Sequence, residues 1–263
     1  AYNLKGIATV TRQKYLTASE KGPWANSYDR WRNDNLTNRY QGVQFGYTSA
    51  GRYTSWNDIW SYPGYKERDI LPGDYKYEDW NGDGEINGQD EHPFAFDQTP
   101  WLQFSLNAGL QWKNLDFNML LQGSALGSME YKEPLHEIWG KNGGGALTQF
   151  LDRWHPVDPK ADPYDPSTVW TSGHYAYTGR WAKNNSAFNR VSTAYLRLKS
   201  IELGYTFPKL KQIPNASLRI YANAYNLLTF TGVKFVDPEH PDDDLGRMYP
   251  LNKTYTLGVS LSF

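Results

Sequence analysis

Hydrophobic and polar residues alternate without a break from Trp101 onward. Leu102, Phe104, Leu106, Ala108, Leu110 and Trp112 interleave with Gln103, Ser105, Asn107, Gly109 and Gln111. Period two sends successive side chains to opposite faces, which predicts an amphipathic strand long enough to cross a bilayer at a tilt. Lys113-Asn114 reads as a two-residue turn, after which Leu115, Phe117, Met119 and Leu121 alternate with Asp116, Asn118, Leu120 and Gln122. The pair predicts a hairpin with one apolar and one mostly polar face. The pattern returns at the end, where Tyr255, Leu257, Val259, Leu261 and Phe263 oppose Thr254, Thr256, Gly258, Ser260 and Ser262. Between these lie Ile201, Leu203, Tyr205 and Phe207, then Leu218, Ile220, Ala222 and Ala224. Leu196 and Leu198 fall out of phase with Ile201, so either a bulge intervenes or Arg197 and Lys199 point outward. Tyr2, Leu4, Gly6, Ala8 and Val10 make a weaker sixth strand.

The connections alternate in length. The turns at Lys113-Asn114 and between Pro208 and Asn215 are short, whereas 13–100, 124–190 and 231–250 are long, polar and rich in Trp, Tyr, Gly and Pro. Short turns at one end and long loops at the other predict an all-β chain, part of a large transmembrane antiparallel β-barrel with long extracellular loops. With Lys113-Asn114 in the periplasm, parity places the C-terminus there too and makes strand 2–12 run outward. Any hairpin within 39–55 must then contribute an even number of strands. A soluble sandwich is the alternative, but its strands average five to six residues. Six strands are too few for an outer-membrane barrel, whose minimum is about eight. The chain therefore reads as part of a larger barrel.

Composition narrows the rest. Lys+Arg 27 against Asp+Glu 28 leaves a net charge of -1, which argues against a nucleic-acid partner. No stretch approaches the roughly 20 apolar residues of a membrane-spanning helix. The absence of cysteine removes disulfides, zinc thiolates and thiol nucleophiles. Ala1 opens the chain without a Met or a charged-then-apolar leader, which reads as a processed or truncated chain.

The densest chemistry lies in 79–90. Asp79, Asn81 and Asp83 stand at positions one, three and five of a calcium-type loop, and Gly84 at six permits its sharp turn. Glu85 at seven offers its backbone carbonyl, Ile86 at eight can pack inward, Asn87 at nine coordinates directly or through water, and Asp90 closes the loop. Asp in place of Glu at twelve shortens the reach, lowering affinity or admitting Mg2+. The flanks lack a helical pattern, so the expected role is a structural Ca2+ that ties down an outer loop. The plainer alternative is a solvated Asn-Gly and Asp-Gly turn.

Trp154, Trp170, Tyr175, Tyr177 and Trp181 lie in the largest loop, where exposed aromatics suit the apolar faces of sugars. The competing reading is that these rings pack the loops onto one another or onto a partner. Trp112, near the short turn, suits an interfacial aromatic girdle. His92, His136, His155, His174 and His240 show no metal spacing and are expected to be solvated, as is the run Asp242-Asp243-Asp244. No nucleophile or acid-base pair emerges, so no catalytic residue is expected.

With these residues in hand, the chain resembles the C-terminal portion of the SusC-type (RagA-like) TonB-dependent outer-membrane transporters of Bacteroidota. The resemblance runs through Gly46 to Ser55, Pro72-Gly73-Asp74 leading into the calcium-type loop, the hairpin Phe104 to Gly123, and Leu151-Asp152-Arg153-Trp154. It continues through Tyr195-Leu196-Arg197-Leu198-Lys199, Leu203-Gly204-Tyr205, Asn226-Leu227, Asp237-Pro238-Glu239 and Tyr249-Pro250. Thr256, Gly258, Leu261 and Phe263 resemble the terminal signal read by the barrel-assembly machinery. The resemblance implies a barrel of about 22 strands, a plug and TonB-contacting segment outside this chain, and a SusD-like surface lipoprotein as lid. Glycan or peptide is the implied substrate, and the chain would supply wall, lid-facing loops and some ligand contacts. A secreted calcium-binding carbohydrate-active protein and a passive barrel are the alternatives.

Overall fold

A computed structural model describes residues 1–18, 37–63, 69–132, 135–136, 147–177, 185–208, 216–240 and 247–263. In chain order the strands are β1 (Tyr2–Val10), β2 (Gln44–Gly46), β3 (Ser49–Arg52), β4 (Tyr75–Tyr77), β5 (His92–Ala95), β6 (Leu102–Trp112) and β7 (Leu115–Ala125). They continue with β8 (Ser128–Glu130), β9 (His155–Pro156), β10 (Trp170–Thr171), β11 (Arg190–Ser192), β12 (Tyr195–Phe207), β13 (Ser217–Thr231) and β14 (Thr254–Ser262). The six long strands form one antiparallel sheet in the order β1-β6-β7-β12-β13-β14. These are the six strands that the alternation predicts.

Register sorts the side chains cleanly. Thr9, Gln103, Ser124, Tyr195 and Thr231 stand in one row across the sheet, and Ser105, Gln122, Arg197 and Thr229 in the next. The opposite face carries Leu4, Ala108, Met119, Ile201, Ala224 and Tyr255 in one row. That apolar face is open: Leu4, Leu257 and Val259 are 69%, 75% and 65% exposed. The phase defect resolves as a bulge, because from Leu198 to Ser200 β12 advances two residues while β7 advances one. One added residue keeps Leu196, Leu198 and Ile201 on the apolar face and leaves Arg197 on the polar one, so Arg197 does not point outward.

The short connections leave one end of the sheet. Lys113, with a φ of 53°, turns the β6–β7 hairpin, and Phe207 pairs with Leu218 at the same end. All three long connections leave the other end, where Val10 meets Leu102, Ala125 meets Leu102, and Tyr195 meets Thr231. The stretch 39–55 adds no strand to the large sheet. Its β2 pairs with β5 and its β3 with β4, so its contribution is zero, an even number, and the parity holds.

The connections fold into a layer of their own. β8 pairs with β11 and β9 with β10, and the Tyr47 N–H donates to the Asn185 carbonyl while Ala187 N–H donates back to Tyr47. A short helix, α1 (Trp56–Ser61), starts where the Ser55 hydroxyl accepts from the Asp58 N–H. Lys76 donates to Asp58 at 2.6 Å and holds its carboxyl below the usual range. A tight turn at Leu71 to Asp74 puts Gly73 at φ +91°, a conformation L side chains rarely adopt. A Cβ there would also strike the Trp154 indole at 2.3 Å. Thus the Pro-Gly-Asp segment and the Leu-Asp-Arg-Trp segment, far apart in sequence, meet face to face.

Candidate functional site

Three features gather at the long-loop end: the acidic loop, the aromatic residues, and a strap crossing the polar face. The acidic loop sits between β4 and β5 without helices on either side. Asp79 organises it, its Oδ1 accepting from the N–H groups of Gly82 (2.8 Å) and Asp83 (3.2 Å) and its Oδ2 from Gly84 (2.9 Å). Asn81 Oδ1 accepts from Asp83 N–H at 3.0 Å, and Asp83 Oδ1 from Glu85 N–H at 2.8 Å. Asp90 closes the loop from within. It is 0% exposed, and its carboxylate accepts from Trp80 N–H at 3.0 Å and Asn87 N–H at 2.8 Å. Asn87 returns as a cap, its Oδ1 taking the Gln89 N–H at 2.7 Å. Ile86 packs inward against Tyr47 and Tyr77, as position eight predicts.

The donor set is hard oxygen throughout, the chemistry that Ca2+ and Mg2+ take. Asp79 Oδ1 accepts two N–H groups, whereas Asp79 Oδ2 and Asp83 Oδ1 accept one each from the backbone and keep a second lone pair. Among the described residues, however, no group of three or more His, Asp or Glu side chains is arranged to hold a metal ion. The loop thus has the turns and the oxygen donors of the motif, with its carboxylates engaged by its own backbone.

The aromatic residues divide. Trp154 and Tyr175 are each 9% exposed, and Tyr175 packs edge-on against Phe150 at 4.6 Å. Trp170 and Tyr177 pack edge-on at 5.3 Å and remain half-buried. Trp181 and Asp242-Asp243-Asp244 lie outside the described residues. Arg52 links the segments, donating to the carbonyls of Gly73 (2.8 Å) and His174 with its guanidinium 4.2 Å from the Tyr75 ring centroid. Burial first, then Arg52, lowers the pKa of His174. Burial pushes the Tyr175 phenol up to about 12.

The expectation of solvated histidines needs correction at three positions. His92, His136 and His240 are buried, at 8%, 8% and 6% exposure. His92 stacks on Trp80 at 4.8 Å and sets a ring nitrogen 2.9 Å from the Asp90 carbonyl, so the acidic loop is clamped from below. Burial pulls His136 down to about 4.

The strap is the feature that sequence reasoning missed. Arg197 on β12 is 1% exposed, and its guanidinium donates to Glu239 and, at 2.6 Å, to Asp237, while its Nε donates to Thr229 at 3.0 Å. The Tyr195 hydroxyl donates to the other Glu239 oxygen at 2.9 Å. Asp237 to His240 is thereby drawn across the polar face. Beneath it lies a cavity of about 540 Å³, floored by β1, β6 and β7 and walled by Gln98, Pro100, Tyr195 and Glu239. Both segments already stood out in the sequence, as Tyr-Leu-Arg-Leu-Lys and Asp-Pro-Glu, and opposite charges in two such segments are the signal that links them.

No protein-family model matches the chain. It is similar to TonB-dependent receptors, proteins of the bacterial outer membrane. Two from Formosa agariphila stand out: TonB-dependent receptor P3, 28% identical over 211 residues (74% of this chain, 19% of the receptor), and TonB-dependent receptor P26, 27% identical over 239 residues (85% and 22%). The chain therefore spans about a fifth of these relatives' length. Its fold is that of part of the RagAB peptide transporter, with a TM-score of 0.53 over 84% of this chain and 22% of that one, at 19% identity. The closed-closed state of the RagAB peptide importer gives 0.55 over 100% and 27%, also at 19% identity. These findings bear out the resemblance to a SusC-type (RagA-like) segment of a Bacteroidota transporter.

Proposed function

We propose that this chain is a section of the wall of a β-barrel that imports nutrients, glycan or peptide, across the bacterial outer membrane at the expense of TonB. The observation that carries the reading is the two-faced sheet: six long strands, one face apolar and open, the other polar, with every long connection at one end. An apolar face of this extent is covered by lipid in a barrel of about 22 strands. The long-loop end is extracellular and faces a SusD-like lipoprotein. The short-turn end and the C-terminus are periplasmic, and Trp112, exposed near that turn, sits in the interfacial belt. TonB acts through parts of the transporter beyond this chain. No chemical step is assigned to any residue here, and the chain's contribution is containment and contact.

Within this reading Ca2+, or Mg2+ more weakly, is held by Asp79, Asn81, Asp83, the Glu85 carbonyl, Asn87 and Asp90. The ion neutralises carboxylates crowded in one turn and fixes the loop against Tyr47 and Tyr77. Asp83→Ala removes one ligand and leaves the buried Asp90 closure intact. Isothermal titration should show calcium affinity falling at least tenfold with the barrel still assembled. Unchanged affinity would remove Asp83 from the ligand set.

The reading as a whole is tested by topology and energy coupling. A cysteine placed at Tyr164, on an exposed loop, should react with an impermeant maleimide on intact cells. One placed at Lys113 should react only after the outer membrane is opened. Uptake should vanish when TonB is deleted. Uptake that survives deletion would point to a passive barrel, and a detergent-free soluble protein that turns over glycan would point to a secreted enzyme.

A further inference from the structure

A recess at the loop end of β1 holds a cation without an anion. Arg12 lies just beyond Val10, its guanidinium 4.3 Å from the Tyr40 ring centroid and 5.5 Å from that of Trp101. The two rings are 5.4 Å apart and tilted at 57°, and Phe96 meets Trp101 edge-on at 5.0 Å. Aromatic contact of this kind holds a guanidinium in place and leaves its N–H groups free for an acceptor. On the polar face Arg197 and Arg219 are neutralised by carboxylates. Arg12, by contrast, makes no ion pair among the described residues.

The recess measures about 380 Å³ and adjoins the cavity under the strap through Thr9, Pro100 and Gln103. Around Arg12 stand neutral groups that can each donate a hydrogen bond, the hydroxyls of Thr9 and Thr11 and the amides of Gln13, Gln41 and Gln103. Lys14 adds positive charge close by, its Nζ 5.9 Å from the centroid of the same Tyr40 ring. One carboxylate, Asp97, shares the space. Its Oδ1 accepts from the Gln98 N–H at 2.8 Å, and its side chain packs on Gly42, where a φ of +77° and the missing Cβ make room for it. Asp97 is thereby held on its own wall and forms no ion pair with Arg12. A cationic ligand would meet Arg12 as a like charge, and a neutral one would leave the guanidinium without a counter-charge.

We propose that this recess is an oxyanion-binding site at the extracellular mouth of the polar face, in which Arg12 receives the carboxylate, sulfate or phosphate of an acidic ligand. The guanidinium fork matches the paired oxygens of all three groups. Neighbouring hydroxyls and amides serve the remaining oxygen lone pairs, and half-buried Trp101 offers its ring to the body of the ligand. The volume suits a small molecule or one end of a larger one. Asp97 faces the same space as a like charge, so it lowers the affinity and gives the proposal a sign that can be tested. The site takes its use from the import reading above, but binding is measured without transport.

The test uses the native polypeptide that carries these residues, purified in detergent. Glucuronate, inorganic sulfate and inorganic phosphate are the probes, glucose is the neutral control, and binding is read by equilibrium dialysis at low ionic strength, where screening is weakest. The acidic probes should bind and glucose should not. Arg12→Gln should weaken them about tenfold, the scale of a hydrogen bond to a charged group. Asp97→Asn keeps the acceptor for the Gln98 N–H and removes the like charge, so it should tighten the same probes about threefold. These opposite signs separate a charge effect from a general loss of folding. Inorganic anions bound as well as glucuronate would assign the seat to a free oxyanion, and glucuronate bound in preference would assign it to an acidic group on an organic ligand. Acidic probes held equally by wild type and Arg12→Gln, or held no better than glucose, would overturn the site. Weaker binding in Asp97→Asn would mean that the ligand brings a cation to Asp97, and would overturn the ligand class. Failure of the import reading shows separately, as uptake indifferent to TonB.

Discussion

Two arginines on the same polar face are held in opposite ways. Arg219, on β13 near the short turns, pairs with Asp116 on β7 and with Glu202 on β12 at 2.7 Å, all three side chains being 23–30% exposed. Its partners belong to the wall itself. Arg197, near the long loops, is closed off from solvent and pairs with Asp237 and Glu239, which belong to a connection. The first arrangement staples strand to strand, the second staples a loop to the wall. The backbone ladder already holds the strands in register, so the lower cluster adds little. Among the described residues the strap is held through side chains, those of Arg197, Tyr195 and Gln98, so the upper cluster carries it.

That contrast is easiest to break at Arg197. Arg197→Met leaves the Asp237 and Glu239 carboxylates of the strap without their buried arginine, and the strap should lose about 3 kcal/mol of local stability. Hydrogen exchange over 236–240 should accelerate while the amides of β6 and β7 stay protected. Equal acceleration throughout would mean that the strap and the wall open as one unit.

The loop layer also hides a titratable imidazole. Buried His136 is neutral with a pKa of about 4 against 6.5 when unfolded. Between those values the unfolded segment binds more protons than the folded one. Stability is therefore complete above pH 6.5 and falls as pH drops toward 4, by about 3 kcal/mol at most. His136→Phe should flatten the pH dependence of proteolysis around Leu135, whose carbonyl accepts from Gln149 Nε2 at 2.8 Å. The smallest effect belongs to Arg219→Met, about 1 kcal/mol or less because its partners are partly solvated. A lowered unfolding temperature of a degree or two, measured in detergent, would fit; collapse of assembly would place Arg219 among the residues that set register.

The difference between the two regions also explains what could be read from the sequence. The strands were legible because period two survives any choice of side chain, and β6, β7 and β14 follow it to within a few residues. The loop layer has no period. Trp154 and Trp170 look alike in sequence, yet one is buried against Gly73 and the other half-open. Histidines default to solvent until a stack such as Trp80 on His92 is seen. Arg197 was ambiguous for a different reason, since its facing depended on one unpaired residue two positions away. The acidic loop was legible in its turns and in the inward Ile86, because small rings of local hydrogen bonds follow from spacing alone. Its convergence on an ion does not.

The bulge at Lys199 reaches further than its one residue. Alternation is a parity code, and Lys199 is the digit that keeps the upper and lower halves of β12 in step. Loss of that single codon would leave the strand the same in composition and almost the same in length, yet swap the facing of one half: Arg197 toward the membrane, or Leu203 and Tyr205 toward the polar interior. A gene encoding this wall can therefore accept many substitutions along β12 but is brittle to a three-base deletion at one site.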